Sequence, residues 1–200
     1  MADIAGNLAA IREEVGPDVR ILTAVKYVDV DGLAALVEGG VTIAGENRAQ
    51  ELAVKAAAFP DLEWHFIGHL QSRKVKQILP LVKWIHSVAS DSALEQLGRH
   101  GTPDTEVLVE VNVAREEGKS GVDPGDLDAF LDRCPVKVVG LMTMPPAVAN
   151  PEESRRWFSA LRELAEARDL PELSMGTSQD YAVAAQEGAT IVRIGSRIYR

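Results

Sequence analysis

Cysteine is nearly missing. Cys134 is the one copy in 200 residues, so no internal disulfide can form. That fits a reducing compartment, and a cytoplasmic location is expected. No apolar run approaches the roughly 20 residues of a membrane span. The opening Met1-Ala-Asp-Ile-Ala-Gly6 lacks the basic and apolar regions of a secretory signal. Basic charge is also short. Lys and Arg number 21 against 30 Asp and Glu, a net charge of −9. Such a balance disfavours sequence-independent binding to nucleic acid or anionic membranes, which attract basic surfaces, but leaves room for a local basic pocket for a small anion. No HExxH, P-loop or GxSxG motif occurs, and Cys134 has no evident activating partner. Nor is there a low-complexity segment or a Ser/Gly-rich linker. A single domain over residues 1–200 is expected.

What is present is an alternation of short apolar runs with longer amphipathic ones. Strands are predicted near residues 22, 42, 65, 85, 109, 138, 173 and 192, each of the first seven followed by a helix, with an extra helix at 3–15. The second strand is expected at 41–44. Helices are expected at 47–58, at 71–79 (stopped by Pro80), at 90–100 (capped by Ser90) and at 152–168, where Glu152–Arg156 is an i,i+4 pair. Eight β-α units with apolar strands call for a parallel sheet covered by helices, closed as a (β/α)8 TIM-type barrel. Closure sets the first strand beside the last. Lys26, at the end of one, then meets Arg193-Ile194-Gly195-Ser196, at the end of the other. Active groups in such barrels lie at these C-terminal strand ends.

Lys26 shares a strand face with Leu22 and Ala24. Pushed into an apolar interior, its ammonium form is disfavoured and it becomes a Schiff-base candidate; otherwise it snorkels to water. Two segments of Gly and hydroxyl residues, Ser174-Met-Gly-Thr-Ser178 and Gly195-Ser196, end the last two strands. They read either as a phosphate cup or as routine βα turns. Arg193, a permanent cation offering donors only, needs an acceptor if it faces inward. Asn47 either caps a helix or faces the pocket. His65, His69 and His86 read as polar wall or core, and Met142 and Met144 as pocket walls or, by preference, ordinary core packing.

Taken together, Thr23-Ala-Val-Lys-Tyr-Val28, Gly45-Glu-Asn-Arg-Ala-Gln-Glu51, Trp64-His-Phe-Ile-Gly-His-Leu-Gln71, Gly140-Leu-Met-Thr-Met144, Leu173-Ser-Met-Gly-Thr-Ser-Gln-Asp180 and Val192-Arg-Ile-Gly-Ser196 resemble the YggS/PROSC family of pyridoxal-phosphate-binding proteins, the PLP homeostasis family. The resemblance spans nearly the whole chain. It implies a fold-type III PLP protein similar to the N-terminal barrel of alanine racemase. The lysine matching Lys26 carries pyridoxal 5'-phosphate (PLP) as an internal aldimine. The residues matching Ser178, Gly195 and Ser196 hold the phosphate, with Ser174 in the same segment. The arginine matching Arg193 faces the pyridine nitrogen, and Asn47 matches a position near the cofactor. Members are similar in being mostly monomeric and in lacking an established robust activity. Thr177, where the family usually has Met, Ser72-Arg73-Lys74 and the ending Ile198-Tyr199-Arg200 depart from the pattern.

Three functions compete: PLP storage or hand-over, weak amino-acid racemisation, and Schiff-base aldol chemistry without PLP. A cation at the pyridine nitrogen disfavours its protonation and weakens the ring as an electron sink. Two-base racemisation needs a group on each face of the adduct. None of Tyr27, Tyr181 and Tyr199 is clearly placed opposite Lys26, and no length is left for a second domain. Homeostasis is therefore the expected role, without robust catalysis and without a metal. Free amino acids and recipient apo-enzymes are expected partners, and nucleic acid and membranes are not.

Overall fold

A computed structural model describes residues 3–199. Met1, Ala2 and Arg200 lie outside the described residues, so the C-terminal departure is described only at Ile198 and Tyr199. The eight strands are β1 (Arg20–Ala24), β2 (Ile43–Glu46), β3 (Glu63–Phe66), β4 (Trp84–Val88), β5 (Glu106–Glu110), β6 (Lys137–Met142), β7 (Glu172–Thr177) and β8 (Ile191–Ile194). They pair in parallel in chain order, and β8 returns to β1 to close the barrel. Helix α1 (Ile4–Val15) precedes β1. Helices α2 (Val30–Glu38), α3 (Ala49–Ala58), α4 (Val75–Ile78), α5 (Asp91–His100), α6 (Leu127–Asp132), α7 (Arg155–Glu166) and α8 (Tyr181–Gln186) follow the first seven strands, and the four-residue α9 (Ser196–Tyr199) follows β8.

The two-residue strand period builds two cores. One residue set points outward to the helices: Val107, Val109, Leu141, Met175, Val192 and Ile194 pack with Leu33, Leu52, Leu97 and Phe158. The alternate set points to the axis, where Leu22, Trp84, Leu108, Val139, Met142 and Ile191 form a smaller inner cluster. That inner cluster reaches up to Met142, which borders the mouth. Below it, at the N-terminal strand ends, Arg20–Glu172, Lys83–Glu63 and Lys137–Glu106 pair, and Trp84 Nε1 donates to Glu106 at 2.9 Å. Above it the mouth is left for polar groups.

Several boundaries differ from the sequence expectation, for local reasons. Strand β2 starts two residues late, and its glutamate continues the pairing with β3. Residues 71–79 do not form one helix. A 3₁₀ turn (Ser72–Lys74), the short α4 and a second 3₁₀ turn (Leu79–Leu81) succeed one another, and Pro80 sits at the start of the last, where its missing N–H costs nothing. Pro151–Ser154 also take a 3₁₀ turn, so α7 begins at Arg155. Glu152 consequently bonds Arg155 (2.8 and 3.0 Å), while Arg156 lies over the Trp157 ring instead. Ser90 caps α5 as expected, accepting from the Ala93 N–H at 3.2 Å.

Candidate functional site

Strand closure makes the site. Thr23 pairs with Ile194 and Leu22 with Arg193, so the inward face of β1 and that of β8 lie side by side. Lys26 follows Ala24 by two residues and keeps its parity. With Arg193 and Gly195 it lines a cavity of about 590 Å³ at the mouth. Asn47, Ser178 and Ser196 line the same cavity. Six of the seven site residues read from the sequence therefore meet in one place. Ser174 does not line it. Ser174 lies beneath the floor, fully buried, where its Oγ accepts from Arg193 Nη1 at 2.6 Å.

The cup side is shaped by a bulge. Between Ser174 and Thr177 on β7, three steps oppose the two from Ile191 to Arg193 on β8. Gly176 absorbs the extra residue at φ +89°. The chain then turns, and Asp180 Oδ1 accepts from the Thr177 N–H (2.7 Å) and hydroxyl (3.1 Å). The Thr177 hydroxyl is thus bonded within its own loop. Ser178 Oγ faces the other cup segment and accepts from the Gly195 N–H at 3.2 Å. A Cβ on Gly195 would stand 3.1 Å from Tyr199 Oη and 3.4 Å from the Ala24 carbonyl, so glycine lets β8 and β1 come this close.

Lys26 is exposed at the rim rather than sunk in an apolar interior, and its Nζ lies 4.6 Å from the centroid of the Tyr27 ring. The desolvated lysine among the sequence readings is therefore corrected: β1 ends at Ala24, and two further residues carry Lys26 clear of the inner cluster. Asn47 does not cap α3. Arg48 holds the N-cap position without a side-chain bond, and Asn47 turns to the cavity. The floor is Arg193, 5% exposed, whose Nη2 donates to the Thr143 carbonyl (2.9 Å) and Met144 Sδ (2.8 Å). Burial pushes its pKa down to about 10, opposed by the charges of Glu110 and Asp180, and it remains a cation at neutral pH.

Sequence reasoning missed Glu110. The alternation Glu106–Val111 reads only as a strand, and in the barrel its Glu110 face points to the axis. Glu110 lines the cavity almost fully buried, held by Ser120 Oγ at 2.6 Å. Tyr199, Met142 and Met144 also line the cavity; Met142 is at the same time packed in the inner cluster, whereas Met144 is half exposed and serves as pocket wall rather than core. A lysine amine, a donor-only cation and a cup of hydroxyls and backbone amides can together bind an anionic carbonyl compound and capture its carbonyl carbon.

A parallel eight-stranded barrel with these groups at its C-terminal mouth is the architecture of the alanine racemase N-terminal domain. The family model of that description matches residues 1–200, and the chain belongs to this family. Within it, the chain is 42% identical over 195 residues to the pyridoxal phosphate homeostasis protein of Aquifex aeolicus, covering 90% of this chain and 86% of that one. It is 30% identical over 229 residues to the protein of the same name from Escherichia coli (100% and 97% covered). The solved structure of PipY from Synechococcus elongatus with PLP bound superposes with a TM-score of 0.87 at 32% identity, covering 98% of this chain and 100% of that one. Alanine racemase from Corynebacterium glutamicum shares the fold (TM-score 0.81, 17% identity), and the match covers 98% of this chain and 60% of that one. No helix among the described residues is long and apolar enough to cross a membrane.

Proposed function

We propose that this chain binds pyridoxal 5'-phosphate and serves in its homeostasis, holding it at Lys26 for storage or hand-over. The observation that carries this reading is the convergence of Lys26, Arg193 and the Ser178/Gly195/Ser196 segment on one cavity from strands remote in sequence. PLP supplies, when bound, an aldehyde that an amine can capture and a ring that draws electrons from attached carbons. The residues fit the group. Asn47 Oδ1 is buried in the cavity wall without a hydrogen-bond partner, so the fold leaves this polar atom for a ligand. Ser178 and Ser196 would donate to the phosphate, and the Gly195 N–H, which donates to Ser178 Oγ at 3.2 Å, would support that end of the cup. Arg193, a donor only, would meet the ring nitrogen and would favour its unprotonated form.

This makes the protein a poor catalyst of carbanion chemistry. Tyr27 adjoins Lys26, the Tyr199 hydroxyl bonds the Ala24 carbonyl at 3.3 Å on the same side, and Tyr181 is buried, so no tyrosine among them offers a base opposite Lys26. Free amino acids reach Lys26 from the open mouth, and apo-enzymes in the cytoplasm are the recipients. The carrier acts as a monomer in a single domain.

The test is the visible absorption of the purified protein, followed by borohydride reduction and mass mapping. Wild type is expected to be coloured and to carry a pyridoxyl group on Lys26; Lys26→Ala is expected to lose both. Pyridoxal without its phosphate is expected to bind far more weakly. A pyridoxyl group mapped instead to Lys55, Lys74 or Lys119, or equal affinity for the two vitamers, overturns the assignment. Turnover of alanine racemisation at roughly 1 per second or more would make the protein an enzyme.

A further inference from the structure

Beneath Arg193 the barrel axis is threaded by polar side chains that the proposed function does not use. Ser174 Oγ lies 2.8 Å from His86 Nδ1, His86 Nε2 lies 2.7 Å from His65 Nδ1, and His65 Nε2 lies 3.0 Å from Glu63 Oε1. The file runs from the floor of the cavity to the opposite end of the barrel, where Lys83 holds the other Glu63 oxygen at 2.8 Å. Both histidines and Ser174 are buried.

The ends fix the direction of every link. Glu63 is a carboxylate and only accepts; Arg193 only donates. A neutral His65 that gives its Nε2–H to Glu63 must accept at Nδ1, so His86 donates from Nε2. His86 must then accept at Nδ1, so the Ser174 hydroxyl gives its proton there and turns its lone pairs to Arg193. Burial favours these neutral forms, lowering the pKa of His65 and, further, that of His86. The charges facing them add to this. Arg20 and Lys83 face His65 with Glu63 opposing, and Arg193 and Arg20 face His86, where a proton on His65 would add to the effect. The alternative arrangement, with a proton on His86 Nδ1, would give Ser174 a second incoming donor and leave its own hydroxyl proton to find another acceptor.

We propose that Ser174, His86 and His65 are positioning residues for Arg193, a one-way file of hydrogen bonds that holds the guanidinium in place at the cavity floor. This rests on the reading above only in that Arg193 meets the PLP ring. The tyrosine, lysine and cup residues take no part.

Two measurements test it. In ligand-free protein with ¹⁵N-labelled histidine and arginine, NMR at neutral pH is expected to show His65 and His86 both protonated on Nε2 alone. A sharp Arg193 side-chain signal is expected in wild type and its broadening in Ser174→Ala. A proton on Nδ1 of either histidine, or an unchanged arginine signal in Ser174→Ala, overturns the proposal whether or not PLP binds. In the loaded protein, Ser174→Ala and His86→Leu are expected to weaken PLP binding by about tenfold and to shift its visible band. His86→Gln, which can accept and donate along the same line, is expected to restore both. Affinity for inorganic phosphate should stay at the wild-type value in all three. Wild-type affinity and band in Ser174→Ala, with PLP bound, overturn the positioning role. Wild type that takes up no PLP overturns the cofactor reading instead, and the NMR results then decide the file by themselves.

Discussion

Lys55 lies on α3, outside the barrel, yet it reaches the site's frame. Its Nζ donates to Glu46 Oε2 at 2.6 Å and to the Val25 carbonyl at 2.8 Å, so one buried ammonium ties the end of β2 to the residue before Lys26. The second Glu46 oxygen accepts from the Asn47 and Arg48 N–H groups at 2.6 and 3.2 Å. Both side chains are essentially buried, so neither charge can be left alone without a large desolvation cost. Lys55→Met is expected to destabilise the protein by about 3–5 kcal/mol, read by urea denaturation. It should also loosen PLP at Lys26. A loss below about 1 kcal/mol would show that Glu46 is satisfied without it.

At the scale of elements, the β7 bulge matters most. Without it Ser178 would not turn back toward Gly195, because a regular strand keeps its parity. Gly176 makes the bulge at φ +89°, and a Cβ there would stand 2.5 Å from the Ala184 Cβ and 3.0 Å from the Tyr181 Cα. Gly176→Ala is expected to cost at least about 1–2 kcal/mol from the backbone alone, with the clash against α8 added. Thermal denaturation measures that loss. On the proposed function the bulge serves the phosphate cup, so PLP affinity should fall while pyridoxal affinity changes little. Equal weakening of both vitamers would place the damage at Lys26 or Arg193 instead.

For the molecule as a whole, the axial file sets the response to acid. His65 and His86 have lowered pKa values in the fold, so below about pH 6.5 the unfolded chain takes up protons that the native chain refuses. Their contribution is complete above that value and declines as pH falls, by about 1.4 kcal/mol per pH unit for each histidine neutral in the native state and charged in the unfolded one. Glu63 extends the decline. Its pKa is lowered from 4.5 to about 2, chiefly by the His65 hydrogen bond with Lys83 adding and burial opposing, so its stabilisation is lost as pH falls from 4.5 toward 2. Urea midpoints at pH 7 and pH 5 should differ clearly in wild type and less in His86→Gln. Equal wild-type midpoints would mean that the histidines are charged in the native state.

The sequence by itself determined the eight β-α units, the closed barrel they imply and the meeting of Lys26 with Arg193 and Gly195. Those follow from hydrophobic period, turn residues and strand count, all local signals whose sum allows few topologies. For Ser178, Ser196 and Asn47 residue type left two readings open each, cup or turn and cap or pocket wall, and only the family resemblance pointed to a cofactor. What only the tertiary structure decided is which face each polar strand residue serves. Read strand by strand, Glu110 carries no signal beyond alternation, His65 and His86 read as polar wall or core, and Ser174 reads as part of the cup segment. Closure removes the solvent face and makes both sides of every strand interior. Their partners then come from across the axis, up to 88 residues apart for His86 and Ser174. Whether Lys26 stands in oil or at the rim was likewise open until the last paired residue of β1 was known, since two residues of chain separate those environments.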